Sequence, residues 1–572
     1  AKKLPFIIGG KSMLFYDFEV FIYDWLVVII DTDTKSEHVF VNDTHGLIQF
    51  YDKHKSDIWI GYNSRHYDQY ILKAIICGFR PQEINHYIIV QNKPGWQFYK
   101  DFWKIQLFNY DVMTNKFRSL KQLEGFQGHD IDESSVSFGI LRELTSDEIQ
   151  EVISYCRHDV HETMYIFKEN ISEFESQVEL LNMFGLPLKH ISKTKAQLSA
   201  FILDAKQPTI PRQDEFDFSF PSTMAIAKYT DVIKFYDANR SYDKTLNIDV
   251  AGVPHTFAWG GLHGAMDNYI GEGYFLNIDV ASYYPALMIE YGYLSRNVKN
   301  PDKFREIRDT RLKYKAAKDK RQAPLKIVIN GTYGAMKDKY NGLYDPLMAN
   351  NVCIGGMMLL LDLIERVEPY CTLIQSNTDG ILIKLNHPDD YDLIDDICYE
   401  WEQRTKMELE FDEFVKVIQK DVNNYILIDA YGNYKSKGAY VKKLNKLDYD
   451  LPIVNEAVVN YFVKGIDPKE TIYNCTELVK FQKIIKISGK YDHARHGNNL
   501  MHERVFRVFA STNKQDKPLR KVKNKIPEKI AYTPERAFIH NEDVTGVSIP
   551  NKLDREWYLD LAKKRISDFI GE

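Results

Sequence analysis

The stretch that decides the fold is Asn277-Ile278-Asp279-Val280-Ala281-Ser282-Tyr283-Tyr284-Pro285. It follows the apolar run Tyr274-Phe275-Leu276, which reads as a strand, so Asp279 falls where that strand ends. Ser282 to Pro285 then turns the backbone away. A carboxylate at a strand end is placed to hold a cation, and it equally serves ordinary turn chemistry. Two later stretches shift the balance, one 47 residues on (326 − 279) and one 100 residues on (379 − 279).

The first is Lys326-Ile327-Val328-Ile329-Asn330-Gly331-Thr332-Tyr333-Gly334. Lys326, Asn330, Tyr333 and Gly334 recur at i, i+4, i+7 and i+8, so a helix places all four on one face, and Pro324 suits its first turn. Lys, Asn and Tyr beside Gly make a poor core stripe and a good surface for a phosphate and a flat base. The second is Thr372 to Lys384, two apolar runs around Asn377-Thr378-Asp379-Gly380, which reads as a β-hairpin with Asp379 beside its tip. Carboxylates at the ends of two strands suit a pair of divalent cations about 3.5–4 Å apart, the geometry of two-metal phosphoryl transfer.

In this order the three stretches resemble motifs A, B and C of family B DNA polymerases: Asp-x-x-Ser-x-Tyr-Pro, Lys-x3-Asn-x-x-Tyr-Gly and a Thr-Asp hairpin. The family hairpin usually carries Asp-Thr-Asp, and this chain has Asn377 in the first position. The resemblance implies that Asp279, the Val280 carbonyl and Asp379 hold two Mg²⁺ ions, for which Mn²⁺ can substitute. It implies that Lys326 and Arg311 meet a nucleotide triphosphate, that Asn330 and Tyr333 shape the nascent base pair, and that Tyr284 excludes a 2′-hydroxyl.

Earlier in the chain, Asp17 and Glu19 lie two apart on one strand face inside an apolar run. Two such carboxylates are costly to bury without a cation or partner. Asn63 to Asp68 precedes a helical run from Gln69 to Cys77, and Thr145 and Glu148 form a capping box for a helix on which Tyr155 and Asp159 share a face. The set Asp17, Glu19, Asp68, Tyr155 and Asp159 resembles the motifs of DEDDy-type 3′–5′ exonucleases, which implies a second two-metal site. Ser119-Leu120-Lys121-Gln122-Leu123 reads either as a primer-contacting element of such exonucleases or as a helix N-cap at Ser119. Gly260 and Gly261 resemble a Tyr-x-Gly-Gly template-contacting element, with Ala258 in place of the Tyr, and Lys435 and Lys437 resemble a Lys-rich strand along the primer backbone.

The 572 residues exceed one core, and 44% hydrophobic with 13% aromatic residues is globular. Net charge is −6, but Lys303 to Lys326 carries ten Lys/Arg against three Asp/Glu, and Lys514 to Lys529 seven against two, local clusters suited to DNA phosphates. On one face, Arg308, Arg311, Lys315 and Lys318 form either a phosphate grip or a solvated stripe. Six scattered cysteines without a Cys-x-x-Cys pair argue for a reducing compartment and against structural zinc. No 18-residue uninterrupted apolar run and no signal-peptide pattern is present, which predicts a soluble, cytoplasmic protein without membrane contact.

The expected fold is multidomain α/β: a ribonuclease H-like exonuclease domain (1–190), a connector (191–242), a palm with an antiparallel sheet (243–300 and 341–446), helical fingers (301–340) and a thumb (447–572). The expected function is templated DNA synthesis with 3′–5′ proofreading, in viral or phage genome replication. Primer-template DNA and dNTPs are the partners, replication accessory proteins are open as further ones, and the protein is expected to be a monomer. The compact length resembles the protein-primed viral branch of family B, but only 47 and 53 residues separate the three motifs (326 − 279 and 379 − 326), little room for that branch's two insertions, so the resemblance implies a nucleic-acid primer over a protein one. The competing expectations are an exonuclease whose polymerase half, disabled by Asn377, serves as a DNA-binding module, and a non-catalytic replication scaffold.

Overall fold

The computed structural model describes residues 11–113 and 118–572. The chain divides into two compact units. The first comprises the chain up to Lys193 together with Leu444–Pro452 and Thr476–Asp554, and the second Thr194–Lys443, Ile453–Cys475 and Arg555–Glu572.

The first unit is built on a five-stranded mixed sheet: β1 (Met13–Val20), β2 (Trp25–Asp31), β3 (Glu37–Val41), β4 (Ile58–Gly61) and β5 (Phe108–Asp111), in the order β3-β2-β1-β4-β5. β1 pairs antiparallel with β2 and parallel with β4, which pairs parallel with β5. β2, Trp-Leu-Val-Val-Ile-Ile-Asp, is buried along its whole length, as a strand covered on both faces requires. Between β1 and β2 the chain turns, closed by the Phe21 N–H donating to the Asp24 carbonyl at 2.8 Å. The helix Ser146–Glu169 packs on β1 and β2. It starts in the predicted capping box, with the Thr145 N–H donating to Glu148 at 2.8 Å and the Glu148 N–H to Thr145 at 3.3 Å.

The second unit is built on a nine-stranded sheet of antiparallel pairs. Its strands are β6 (Leu246–Val250), β7 (Val253–Phe257), β8 (His263–Ala265), β9 (Tyr269–Val280), β10 (Cys371–Asn377), β11 (Gly380–Leu385), β12 (Leu409–Asp421), β13 (Asn424–Ile428) and β14 (Tyr434–Lys437). They run in the order β14-β13-β12-β9-β11-β10-β8-β7-β6. The strand of the deciding stretch, β9, is central, flanked by β11 and β12. Beneath lies the helix Pro346–Val367, held by the Tyr283 hydroxyl donating to the Gly356 carbonyl and the Trp401 indole to the Leu359 carbonyl at 3.0 Å. Among the described residues it alone is long and apolar enough to cross a membrane by length and composition, and 94% of its most apolar window is buried inside the fold.

Two stretches differ from expectation. The pattern-poor 191–242 segment contributes the helix Lys195–Ile202, which packs on the helix Gln322–Met336, where a side chain at Gly331 would crowd Ser199 at 2.9 Å. The 447–572 stretch is not one body. Residues 476–554 form a three-stranded and a four-stranded sheet that belong to the first unit, while 453–475 and 555–572 belong to the second. The reason is a buried polar tie. Arg507, with no exposed surface, donates to Gln482 at 3.0 Å and to the carbonyls of Gly125, His129 and Glu542 at 3.3, 2.6 and 2.5 Å. Glu133 caps the same strand by accepting the backbone N–H groups of Arg504 and Val505. The Lys514–Lys529 cluster is partly spent on ion pairs: Arg520 and Lys529 with Glu535, and Lys521 with Glu528.

Candidate active sites

In the second unit, sheet register assembles the acidic pair. Asp279 near the end of β9 lies opposite Gly380, the first residue of β11, and opposite Glu410 of β12. The turn Thr378-Asp379 closes the β10–β11 hairpin, where Asn377 pairs with Gly380. The Val280 N–H donates to the Asp379 carbonyl at 2.7 Å, locking the two acidic residues onto adjacent backbone. Gly380 is required here. A Cβ would overlap the Asp279 carboxylate and stand 2.7 Å from the Ile278 carbonyl. Burial and the neighbouring Asp379 push the Asp279 carboxyl up to about 6, opposed by the Asn277 amide that donates to it. Asn377 accepts the Asp379 N–H at 3.4 Å, a turn role that an asparagine oxygen fills as a carboxylate would.

Ser282 takes a left-handed conformation (φ 49°) that ends β9 and starts the helix Tyr283–Glu290. Arg311 from the basic helix Asp302–Ala316 donates to the Ser282 hydroxyl at 3.3 Å. Burial depresses its guanidinium, and its Nε has no hydrogen-bond partner. The rest of that helix's cationic face is largely committed: Arg308 to Glu290 and Asp309, and Lys315 to Glu410. On the helix Gln322–Met336, Lys326, Asn330 and Gly334 are exposed and Tyr333 is half-buried, so the predicted stripe is on the surface. The Tyr333 ring meets the Tyr284 ring at 4.5 Å, which joins that stripe to the Asp279 turn.

Gly261 lies against the hairpin tip, where a Cβ would stand 2.8 Å from that of Thr378, and nothing crowds Gly260. His263 approaches the Thr378 hydroxyl at 3.4 Å. Its imidazole is held below the usual histidine value by burial and by Lys437, against the pull of Asp379. Lys437 and Lys435 are both exposed on the edge strand β14, and Lys435 pairs with Asp412 at 2.7 Å.

The first unit gathers the other carboxylates. Asp17 and Glu19 come from β1, Asp68 from the start of the helix Asp68–Ile76, and Asp159 from the helix Ser146–Glu169. Asp68 accepts the Phe18 N–H at 3.1 Å. Burial is the main cause that raises all four carboxyls, Asp68 and Asp159 to about 7. Asp68, Glu19 and Asp159 add their repulsion at Asp17, and Asp159 and Asp68 add theirs at Glu19. Burial and the carboxylates of Asp159, Glu19 and Asp17 push the Tyr155 phenol up.

Side chains outside the predicted set complete this site. The Cys156 thiol contacts the Asp17 carbonyl at 3.2 Å, and potential ligand atoms of Asp17, Glu19 and Cys156 lie within 4.8 Å of one another. Lys121 donates to Asp159 and, at 3.0 Å, to Glu124, and lies 4.5 Å from the Tyr155 ring. Burial works against this ammonium, but Asp159 and Glu124 outweigh it and hold it above the ordinary lysine value. His158 faces the fully buried Glu124 at 3.7 Å. Lys121 lies inside the quoted Ser119–Leu123 pattern, but a lysine on a short helix carries no sign of its partner 38 residues away. Ser119 itself is the N-cap of the helix Leu120–Gln127, in a capping box with Gln122, and Leu120 is buried behind it.

Both sites suit hard divalent cations by their donors: clustered carboxylate oxygens, partly or fully buried, whose charge is unfavourable without a counter-ion. The chain that carries them shares sequence with a DNA polymerase. Over 239 residues it is 25% identical to DNA polymerase 1 of Saccharolobus solfataricus, a match covering 41% of this chain and 25% of that protein, so the chain spans about a quarter of that relative's length. Among solved structures, the family B DNA polymerase of the hyperthermophilic archaeon Pyrobaculum calidifontis matches with a TM-score of 0.43 and 15% identity, over 98% of this chain and 78% of that one. No family model matches.

Proposed function

We propose that this protein is a DNA-templated DNA polymerase that extends a primer 3′ end with deoxynucleotides and proofreads with a separate 3′–5′ exonuclease. The observation that carries the reading is the register of β9 against β11, which sets Asp279 beside the hairpin turn bearing Asp379. The sequence shared with a DNA polymerase supports it. The palm and fingers correspond to the nine-stranded sheet and the helices between β9 and β10. The sheet order β3-β2-β1-β4-β5 supports a ribonuclease H-like exonuclease.

Asp279 and Asp379 would hold Mg²⁺, which when bound supplies the charge that activates a primer 3′-hydroxyl and stabilises the leaving pyrophosphate. Lys326, exposed on its helix, neutralises charge on the triphosphate. Asn330 and Tyr333 contact the nascent base pair, and Tyr284, fixed against Tyr333, excludes a ribose 2′-hydroxyl. In the other unit Asp17, Glu19, Asp68 and Asp159 would hold the same cation. Tyr155 orients the attacking water, and Lys121 keeps Asp159 in place. Lys435 and Lys437 on the sheet edge meet primer phosphates.

The test is primer extension and single-strand degradation by the same preparations, with and without Mg²⁺. Asp279→Asn or Asp379→Asn should abolish extension and spare degradation, and Asp17→Ala with Glu19→Ala should do the reverse. Extension at the wild-type rate by Asp379→Asn would refute the assignment.

A further inference from the structure

The described surface of the first unit carries a concentration of exposed apolar and cationic side chains that neither proposed active site uses. It lies between the helix Asp68–Ile76 and β5, in His86 to Lys104. Ile89 is 64% exposed, Val90 67%, Trp96 60% and Trp103 78%. Two indoles this open are costly on a surface with no partner.

The stretch is held firmly from below. His86–Val90 is one turn of π-helix, and two 3-10 turns follow at Gly95–Gln97 and Phe102–Lys104. Gly95 is seated on the Tyr70 ring, where a Cβ would come within 2.6 Å, and the Phe102 ring lies 5.9 Å from the same tyrosine. Phe98 joins them, 6.2 Å from Phe102 and 5.4 Å from Tyr87. Each exposed tryptophan therefore directly follows a buried residue anchored on Tyr70, so both indoles are borne by one rigid aromatic base.

The net charge on this ledge is positive. Lys93, Lys100 and Lys104 are exposed, and Asp101, the only acidic residue from His86 to Lys104, is paired with Lys104 at 3.1 Å. Lys93 and Lys100 have no carboxylate partner among the described residues, and Lys104 lies 5.7 Å from the Trp103 ring. Flat rings interleaved with cations are what a nucleic-acid single strand requires: unpaired bases stack on the rings and phosphates meet the ammonium groups.

We propose that His86–Lys104 is a stacking platform for unpaired DNA, with Trp96 and Trp103 as base contacts and Lys93 and Lys100 as phosphate contacts. This goes beyond the two proposed active sites and is independent of either chemistry. The test is photocrosslinking of a 5-iodouracil-substituted oligo(dT) to the full chain in EDTA, with adducts mapped by mass spectrometry, and titration of the same oligonucleotide against intrinsic tryptophan fluorescence.

Adducts at Trp96 or Trp103 are expected. Trp96→Ala with Trp103→Ala should remove the quench and weaken this component by about 5- to 150-fold per stacked base lost, with an unchanged melting temperature as the control for folding. Lys93→Ala with Lys100→Ala should flatten the salt dependence by about 1.4 in log–log slope. The proposal is overturned if adducts form only outside His86–Lys104, if the double tryptophan variant keeps the wild-type quench, or if the full chain sediments with anionic phospholipid vesicles through Trp96 and Trp103 and forms no oligonucleotide adduct. Failure here leaves primer extension as the separate arbiter of the polymerase reading.

Discussion

Replacing Asp68 with asparagine should make the metal-free protein more stable while crippling the proposed exonuclease. The Asp68 carboxyl is fully buried and titrates at about 7, against roughly 3.9 in an unfolded chain. Between those values the folded protein holds a proton that the unfolded chain has released. Stability therefore falls as pH rises from about 4 to about 7, and above pH 7 the whole penalty is present. That interval corresponds to an upper limit of about 4 kcal/mol. Because burial carries most of the cost and Asp111 adds to it, and because Asp68 in turn raises Asp17 and Glu19, neutralising it should recover on the order of 1–2 kcal/mol. Asparagine keeps an oxygen for the Phe18 N–H, so the fold loses no acceptor there. At about 2–4 °C per kcal/mol, calorimetry in EDTA at pH 8 should show the variant melting a few degrees above wild type. The gap should close near pH 4, and millimolar Mg²⁺ should raise the wild type more than the variant. If Asp68→Asn melts lower than wild type in EDTA at both pH values, the carboxylate is a net stabiliser and the argument from clustered charge fails.

Gly380→Ala should reduce primer extension by at least about a hundredfold, since its methyl group takes the space of the Asp279 carboxylate; single-strand degradation measured alongside should be unchanged. Because Asp279 titrates at about 6 before cation binding, the Mg²⁺ concentration for half-maximal extension should climb about tenfold per pH unit below 6 and stay flat above it; an unchanged Mg²⁺ requirement at pH 5 would contradict the buried pair. Arg507→Met should cost about 4 kcal/mol or more, because it strands the carbonyls of Gly125, His129 and Glu542; urea unfolding of the full chain should show it as a lowered midpoint for the first transition. Lys121→Met should lower exonuclease turnover more than single-strand affinity, and Lys121→Arg should restore part of it, with a single-turnover assay separating the two.

Much of the second site was legible because its determinants are local. A strand that ends at an aspartate, a tight hairpin, and a helix with Lys, Asn, Tyr and Gly on one face each follow from period and turn chemistry. β9, the β10–β11 hairpin and the helix Gln322–Met336 form where those patterns lie. What was not legible depends on residues far apart. Lys121 meets Asp159 across 38 positions and Arg507 reaches Gly125 across 382, and no periodicity encodes either distance. The strands from Lys483 to Ile539 were missed for a related reason: they are short, and interspersed with charge that ion pairs later absorb.

The first unit borrows nearly eighty of its residues, Thr476 to Asp554, from beyond the whole nine-stranded sheet in sequence. During synthesis it must therefore wait, its Leu120–Gln127 helix lacking the guanidinium of Arg507 until more than five hundred residues have left the ribosome. A fragment ending at Lys193 would contain every one of that unit's proposed catalytic carboxylates and still be an unfinished body, with naked carbonyls where the arginine belongs.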